Sequence, residues 1–235
     1  MKQKVFAMVF VLLLQVGLVG CSNTDSLSKL SVEQRPQAEY PYYEMEVRNQ
    51  GEFLLAYDPQ SIDEQEEKSD YIVQGYLLED SQPIAATNWK GEEVFHYTVT
   101  SLMITKVWKG ELKEGDTIQL CEWYSVEEQG GKNILWQGGN YMPSEVGKEY
   151  LFFLNSKELD LEWVNYPSDM EETIYSPAIF EKGRYPVPDE LKVGKRISTN
   201  KSIDIEALSN EDLNLAEGNA TAYKKLYSEV IEKYF

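Results

Sequence analysis

The sequence predicts a mainly β fold built on a β-barrel, with a C-terminal amphipathic α-helix and a short acidic helix before the first barrel strand. Three observations carry this. The middle of the chain is dense in β-branched and aromatic residues, in runs bounded by Gly, Pro and acidic turns. One run, Val94 to Trp108, is too long for a single flat sheet, and its apolar alternation changes phase. Only the last segment changes period, to helical spacing.

In chain order, the first element is acidic. Asp58 to Asp70 holds Asp58, Asp63, Glu64, Glu66, Glu67 and Asp70, with Lys68 as the only base. Ser61 or Asp63 is placed to cap a short helix here. A calcium loop would need ligands at alternate positions around a central Gly, and the segment has no such Gly. Tyr71 to Leu78 reads as a strand carrying Gly75. In Val94 to Trp108 the apolar set runs Phe95, Tyr97, Val99, then Leu102, Ile104, then Val107. A slip of one residue exchanges the two faces of a strand. A β-bulge or sharp bend is therefore expected, as where a strand serves two sheets at a barrel corner. Lys109 to Asp116 is a turn-rich connection, and Thr117 to Tyr124 returns as a strand.

Gly130-Gly131 and Gly138-Gly139-Asn140 read as loops. Tyr150-Leu151-Phe152-Phe153-Leu154 is almost wholly apolar, which predicts a strand buried on both faces. Leu161 to Tyr166 and Thr173 to Phe180 are weaker strand candidates, punctuated by Pro167, Pro177, Pro186 and Pro188. The spacing of Tyr223, Leu226, Tyr227, Val230, Ile231 and Tyr234 predicts a helix over 220–234, started near Asn219 or Thr221. Its apolar stripe suits packing on the barrel, since helices that lie on lipid favour a cationic face.

The N-terminus carries an address. Lys2 and Lys4 precede fifteen residues, Val5 to Val19, that are apolar apart from Gln15, Ala7 and Gly17. The run is shorter than the roughly 20 residues of a spanning helix and fits a secretory signal. It ends Leu18-Val19-Gly20-Cys21, which looks like a bacterial lipobox. Cleavage between Gly20 and Cys21 would make Cys21 the first mature residue, its sulfur carrying diacylglycerol and its acyl chains, palmitate among them, the membrane anchor. Each buried acyl CH₂ contributes about 0.8 kcal/mol, so more than one chain anchors stably. The expected organisation is a signal peptide at 1–20, a lipidated flexible tether at 21–40 spanning about 25 Å, and one domain over 41–235. The expected location is the extracytoplasmic face of the cell membrane.

Charge narrows the function classes. The chain has 40 acidic and 22 basic residues, and loss of Lys2 and Lys4 leaves 20 bases. A surface this acidic is repelled by phosphate and anionic lipid, which argues against nucleic-acid binding. Beyond Cys21 only Cys121 remains, so no internal disulfide is available, and a buried inert thiol is the expected reading. His96 is the sole histidine, sits mid-strand, and has no Gly-x-Ser-x-Gly elbow to serve. One His and one thiol do not make a zinc site, and no phosphate-binding Gly motif is present; no cofactor or metal is expected. Paired carboxylates are the one enzymatic option. Glu92 and Glu93 beside Trp89, or Glu122 beside Trp123, could face a sugar as acid and base. The alternative is surface acids next to core or rim aromatics. The 5 Trp and 16 Tyr leave a similar choice between ligand stacking and ordinary β core.

The order of the central motifs also carries a resemblance. Ser69-Asp70-Tyr71-Ile72-Val73-Gln74-Gly75-Tyr76 is followed by Tyr97-Thr98-Val99, Ile104-Thr105-Lys106-Val107-Trp108-Lys109-Gly110 and Gly115-Asp116-Thr117-Ile118. Val146-Gly147-Lys148-Glu149-Tyr150-Leu151-Phe152-Phe153-Leu154 closes the series. This resembles a group of uncharacterised bacterial surface lipoproteins. More remotely it is similar to the OB-like barrel of tissue inhibitors of metalloproteinases and netrin modules. The resemblance covers residues 69–154 and implies an OB-like barrel. It does not bring the inhibitor mechanism, which needs a free, disulfide-bonded N-terminal cysteine where this chain has Cys21. The expectation is a lipid-anchored envelope protein with a non-enzymatic binding or scaffolding role and an envelope protein or glycan as partner. The alternatives are a glycan hydrolase using a Glu pair, and a protease inhibitor acting through barrel loops.

Overall fold

The computed structural model describes residues 34–49, 57–139, 141–158, 164–165, 173–191, 203–216, 218 and 220–235. The signal sequence, Cys21 and the first part of the expected tether lie outside them. The strands are β1 (Glu46–Asn49), β2 (Tyr71–Leu77), β3 (Gln82–Asn88), β4 (Glu93–Lys109), β5 (Thr117–Glu122), β6 (Tyr124–Gln129), β7 (Lys132–Gln137), β8 (Glu149–Glu158), β9 (Val164–Asn165), β10 (Thr173–Pro177) and β11 (Arg184–Pro186). Two α-helices flank them, α1 (Ile62–Lys68) and α2 (Thr221–Tyr234).

Five strands close into the OB-like barrel, in the order β2–β4–β5–β10–β8 and back to β2. The β5–β10 pair is parallel and the other four pairs are antiparallel. A separate three-stranded sheet, β1–β7–β6, stands beside the barrel. Its hairpin turn is Gly130-Gly131, with φ of +63° and +78° at the two residues. That conformation suits a two-residue turn and is open to glycine at little cost.

The 17-residue β4 joins three neighbours in turn. It pairs with β3 over Glu93–Val99, with β5 over Thr98–Met103 and with β2 over Leu102–Lys109. The second expected phase change is a bulge. Gln74 faces Lys106 while Gly75 faces Ile104, so Thr105 is the extra residue, and Ile104 and Val107 end in one cluster. The first phase change is not a bulge. The β4–β5 register runs unbroken from Val99 to Leu102, and the alternation shifts because the two faces bury against different cores. Tyr97 and Val99 pack outside the barrel with Ile84, Ala86, Cys121 and Ile174, whereas Leu102 and Ile104 point inside.

The same two-sided burial governs β8. Tyr150, Phe152 and Leu154 fill the barrel; Leu151 and Phe153 lie on its outer face, under Tyr223, Leu226, Tyr227 and Val230 of α2. The C-terminal stripe thus packs on the barrel, as its mixed-charge polar face implied. Among the described residues no helix is long and apolar enough to cross a membrane. Ser61 caps α1, its Oγ accepting from the Glu64 N–H at 3.4 Å while the Glu64 carboxylate accepts from Gln60 N at 2.8 Å. Residues 34–40, placed in the tether by sequence, contact the barrel. Arg35 pairs with Glu149 at 2.9 Å, and Tyr40 OH donates to Pro143 O at 2.5 Å.

At Gly75, β2 leaves no room for a side chain against β4. A Cβ there would lie 2.3 Å from Met103 O and 3.0 Å from Leu102 Cδ1. Since the first obstacle is backbone, relief needs the two strands to separate. Gly75→Ala is expected to destabilise by about 1–3 kcal/mol and lower Tm by roughly 2–12 °C. Calorimetry checks this; an unchanged melt would mean that the strands spread without cost.

Candidate binding groove

The ends of β5 and β11 bring together two charges that the sequence separates widely. Glu122 closes β5, Arg184 opens β11, and both side chains are fully buried with Nη1 3.2 Å from Oε1. Sequence reading placed Glu122 among surface acids beside Trp123. Trp123 instead packs against Phe180, and Glu122 turns inward. Its Oε1 also accepts from Tyr141 OH at 2.5 Å, Ser144 Oγ at 2.6 Å and Ser144 N at 3.1 Å. Arg184 Nη1 donates to Met142 O at 2.9 Å and Ser144 Oγ at 2.7 Å; Nη2 donates to Asn214 O at 2.9 Å. Burial works against the guanidinium charge, but the Tyr141 and Tyr150 oxygens and the Glu122 carboxylate outweigh it and hold its pKa above the ordinary value.

This cluster fixes two chain segments to the barrel. One is 141–144, held by Tyr141, Met142 and Ser144. The other is 209–216, held by Asn214 and by a bridge between Tyr141 and Leu215. Asn214 sits at φ +53°, a conformation that Asn tolerates better than most residues. Its Oδ1 accepts from Lys148 Nζ at 2.7 Å and Tyr150 OH at 2.9 Å.

Between these segments and residues 42–49 runs a groove of about 640 Å³, within the range of ligand sites. Tyr42, Met45, Met142, Leu215 and Ala216 make it largely apolar. Tyr43 and Val47, 39% and 45% exposed, also line it, so two of the four large exposed hydrophobic residues among the described residues meet at one place. Such concentration marks an interaction surface better than scattered exposure does. Gln137 lines it too; it is 5% exposed, and its Oε1 has no hydrogen-bond partner among the described residues.

Tyr43 and Glu211 are shared with an adjoining hollow of about 310 Å³ lined by Tyr40, Glu145, Lys148 and Asp212. Burial, with the fields of Glu211, Glu145 and Asp212 outweighing the pull of Arg184, holds the Tyr43 phenol well above its usual pKa. A different hollow, of about 540 Å³, lies between α1 and α2. Its charges serve one another: Lys233 reaches Asp63 and Glu66, both at 2.7 Å, and Lys109 Nζ donates to Glu66 O and Ser69 O at 2.6 Å. That hollow reads as a helix-to-helix joint.

The other sequence candidates are apart from the groove. Glu92 and Glu93 lie at the β3–β4 turn, where Glu92 accepts from Asn88 Nδ2 at 2.8 Å and Glu93, 62% exposed, is 3.5 Å from His96 Nε2. His96 also meets Glu127 at 3.0 Å. Cys121 is buried, 4% exposed, in the core outside the barrel. Among the described residues no group of three His, Cys, Asp or Glu could hold a metal ion. Eight of the described tyrosines are buried, and Tyr76, Tyr141, Tyr150, Tyr185 and Tyr227 fully so. Nothing in the sequence around Tyr42 and Tyr43 marked them as lining a groove. No protein-family model matches the chain, and comparisons with curated proteins and with solved structures give no match.

Proposed function

We propose that this protein is a non-enzymatic binding module of the cell envelope, held at the extracytoplasmic face through lipid on Cys21, and that its partner is taken in the groove beside Tyr43 and Val47. The carrying observation is the gathering of exposed Tyr43 and Val47 with Tyr42 and Met45 opposite Met142, whose wall a buried ion pair pins. A pinned wall presents its contacts without much ordering cost on binding. A hydrolytic role gains no support from Glu122, whose Oε1 already accepts from four donor groups in a fully buried setting. Glu92 and Glu93 sit in solvent with local partners.

Two measurements in cells test the reading. An alkyne-palmitate label is expected on the wild-type chain and to be lost in Cys21→Ser, which should also leave the membrane fraction. A photo-crosslinking residue at position 47 is expected to give a discrete adduct that the same residue at exposed position 89 does not. Tyr43→Ala should reduce that adduct several-fold. Equal adducts at both positions, or none at 47, would remove the groove from the proposal.

A further inference from the structure

Resting on that reading of the groove, the geometry points to the chemistry of its occupant: we infer that it binds an extended peptide segment presenting an apolar side chain next to a lysine or arginine. The groove and the hollow beside it differ in character and meet at one residue. On one side of Tyr43 lie Met45, Val47, Met142 and Leu215. On the other side lie Glu145, Glu211 and Asp212, three carboxylates against the single ammonium of Lys148. That ammonium is engaged by Glu145 at 3.0 Å and by Asn214 at 2.7 Å. The excess of negative charge therefore falls on Glu211 and Asp212. Asp212 spends one oxygen on Ser209 N and Oγ, at 2.8 and 2.7 Å. Glu211 is exposed, and no hydrogen bond to its carboxylate is made by the described residues.

Tyr43 is the partition between the two compartments. A ligand lying across its ring would place an apolar group in the groove and a cation over or beside the phenol, within reach of the carboxylates. A cation on an aromatic face flanked by carboxylates is favoured by both interactions. Adjacent side chains of an extended peptide diverge to opposite sides, which matches two compartments separated by one ring. Gln137 adds an amide-directed feature: its buried Oε1, without a partner, is an acceptor of the kind that a peptide N–H satisfies. A glycan would use the stacking surface but leave the acidic hollow without a counter-charge.

The test uses the full chain in detergent micelles and three capped pentapeptides: Gly-Leu-Lys-Leu-Gly, Gly-Leu-Gln-Leu-Gly and Gly-Gly-Lys-Gly-Gly. Titration followed by NMR and calorimetry should show the first binding roughly tenfold more tightly than either of the others, about 1.4 kcal/mol. That advantage over the Gln peptide should shrink as salt shortens the screening length below about 8 Å. Glu211→Lys should abolish it with the melting temperature unchanged; Glu211→Gln should remove part of it. Equal binding of the Lys and Gln peptides, or an advantage that survives Glu211→Lys, overturns the cationic ligand and leaves the groove standing. No binding by any peptide, with the position-47 crosslink intact, overturns the peptide class alone. Loss of both the peptide binding and the crosslink overturns the groove reading with it.

Discussion

Arg184→Met is expected to destabilise the domain by about 3–5 kcal/mol, as when one partner of a buried ion pair is removed. The physical cause is what stays behind. Glu122 would keep its donors from Tyr141 and Ser144 but lose the only cation that contacts it among the described residues, at zero exposure. Met142 O and Asn214 O would lose their guanidinium donors as well. Glu122→Leu is expected to cost a similar amount, since it leaves a buried guanidinium. The double variant Glu122→Leu/Arg184→Met separates the charge from the hydrogen bonds. A buried pair replaced by apolar residues is often neutral, so the double should recover part of the loss. Recovery should stop short of wild type, because two backbone carbonyls, the Ser144 N–H and the Tyr141 and Ser144 hydroxyls lose their partners, at roughly 1–3 kcal/mol for each left unsatisfied. Urea unfolding of all four proteins closes the cycle. A loss below about 1 kcal/mol in both single variants would mean that water or rearrangement satisfies the survivor. Because Arg184 fixes Met142 and Asn214, its loss should also blunt the groove even where the fold survives.

The pair shows what a sequence conceals. Glu122 and Arg184 are 62 positions apart, and neither has a local signal. An acid at the end of an apolar strand next to a tryptophan reads as a surface residue until topology places β11 against β8. The groove is hidden for the same reason: its walls come from 42–49, 137–142 and 209–216. Local physics, by contrast, was legible. The capping Ser61, the doubly buried Tyr150–Leu154 strand and the amphipathic helix each follow from spacing within one element. The failures have local causes too. Strand β3 carries Pro83, which suits an edge, and the unpaired side of β3 at Pro83 fits that. Glu127 and Glu128 break the apolar alternation of β6, so spacing alone does not show that Gly130-Gly131 is a hairpin turn. The first phase change in β4 was legible as an event but not in kind, because alternation alone does not say that a second core waits on the opposite face.

Phe153→Ala is expected to cost about 3–5 kcal/mol, the range for removing a large buried aromatic ring, and to lower Tm by roughly 6–20 °C. Phe153 is fully buried on the outer face of β8, edge-on to Tyr185 and Tyr234, each 5.9 Å between ring centres. Those rings belong to β11 and α2, so the cavity opens between barrel and helix. Whether the unfolding transition stays single is the sharper readout. If α2 were an appendage, loosening its seat would release it first, and Trp108, whose ring meets Tyr234 at 5.3 Å, would report an early step in fluorescence. The structure argues for one step. Tyr227 OH donates to Pro186 O at 2.5 Å and Tyr223 OH to Arg184 O at 2.7 Å, so α2 is bonded to the strand that carries the buried guanidinium. That strand lies on β8 at Phe152, Leu151 and Tyr150, whose side chains alternate between the barrel interior and the helix seat. Helix, ion pair and barrel therefore share the same few residues and should unfold together, with fluorescence and circular dichroism coincident. Separate midpoints for the two probes in Phe153→Ala would show instead that α2 and the barrel are independently stable.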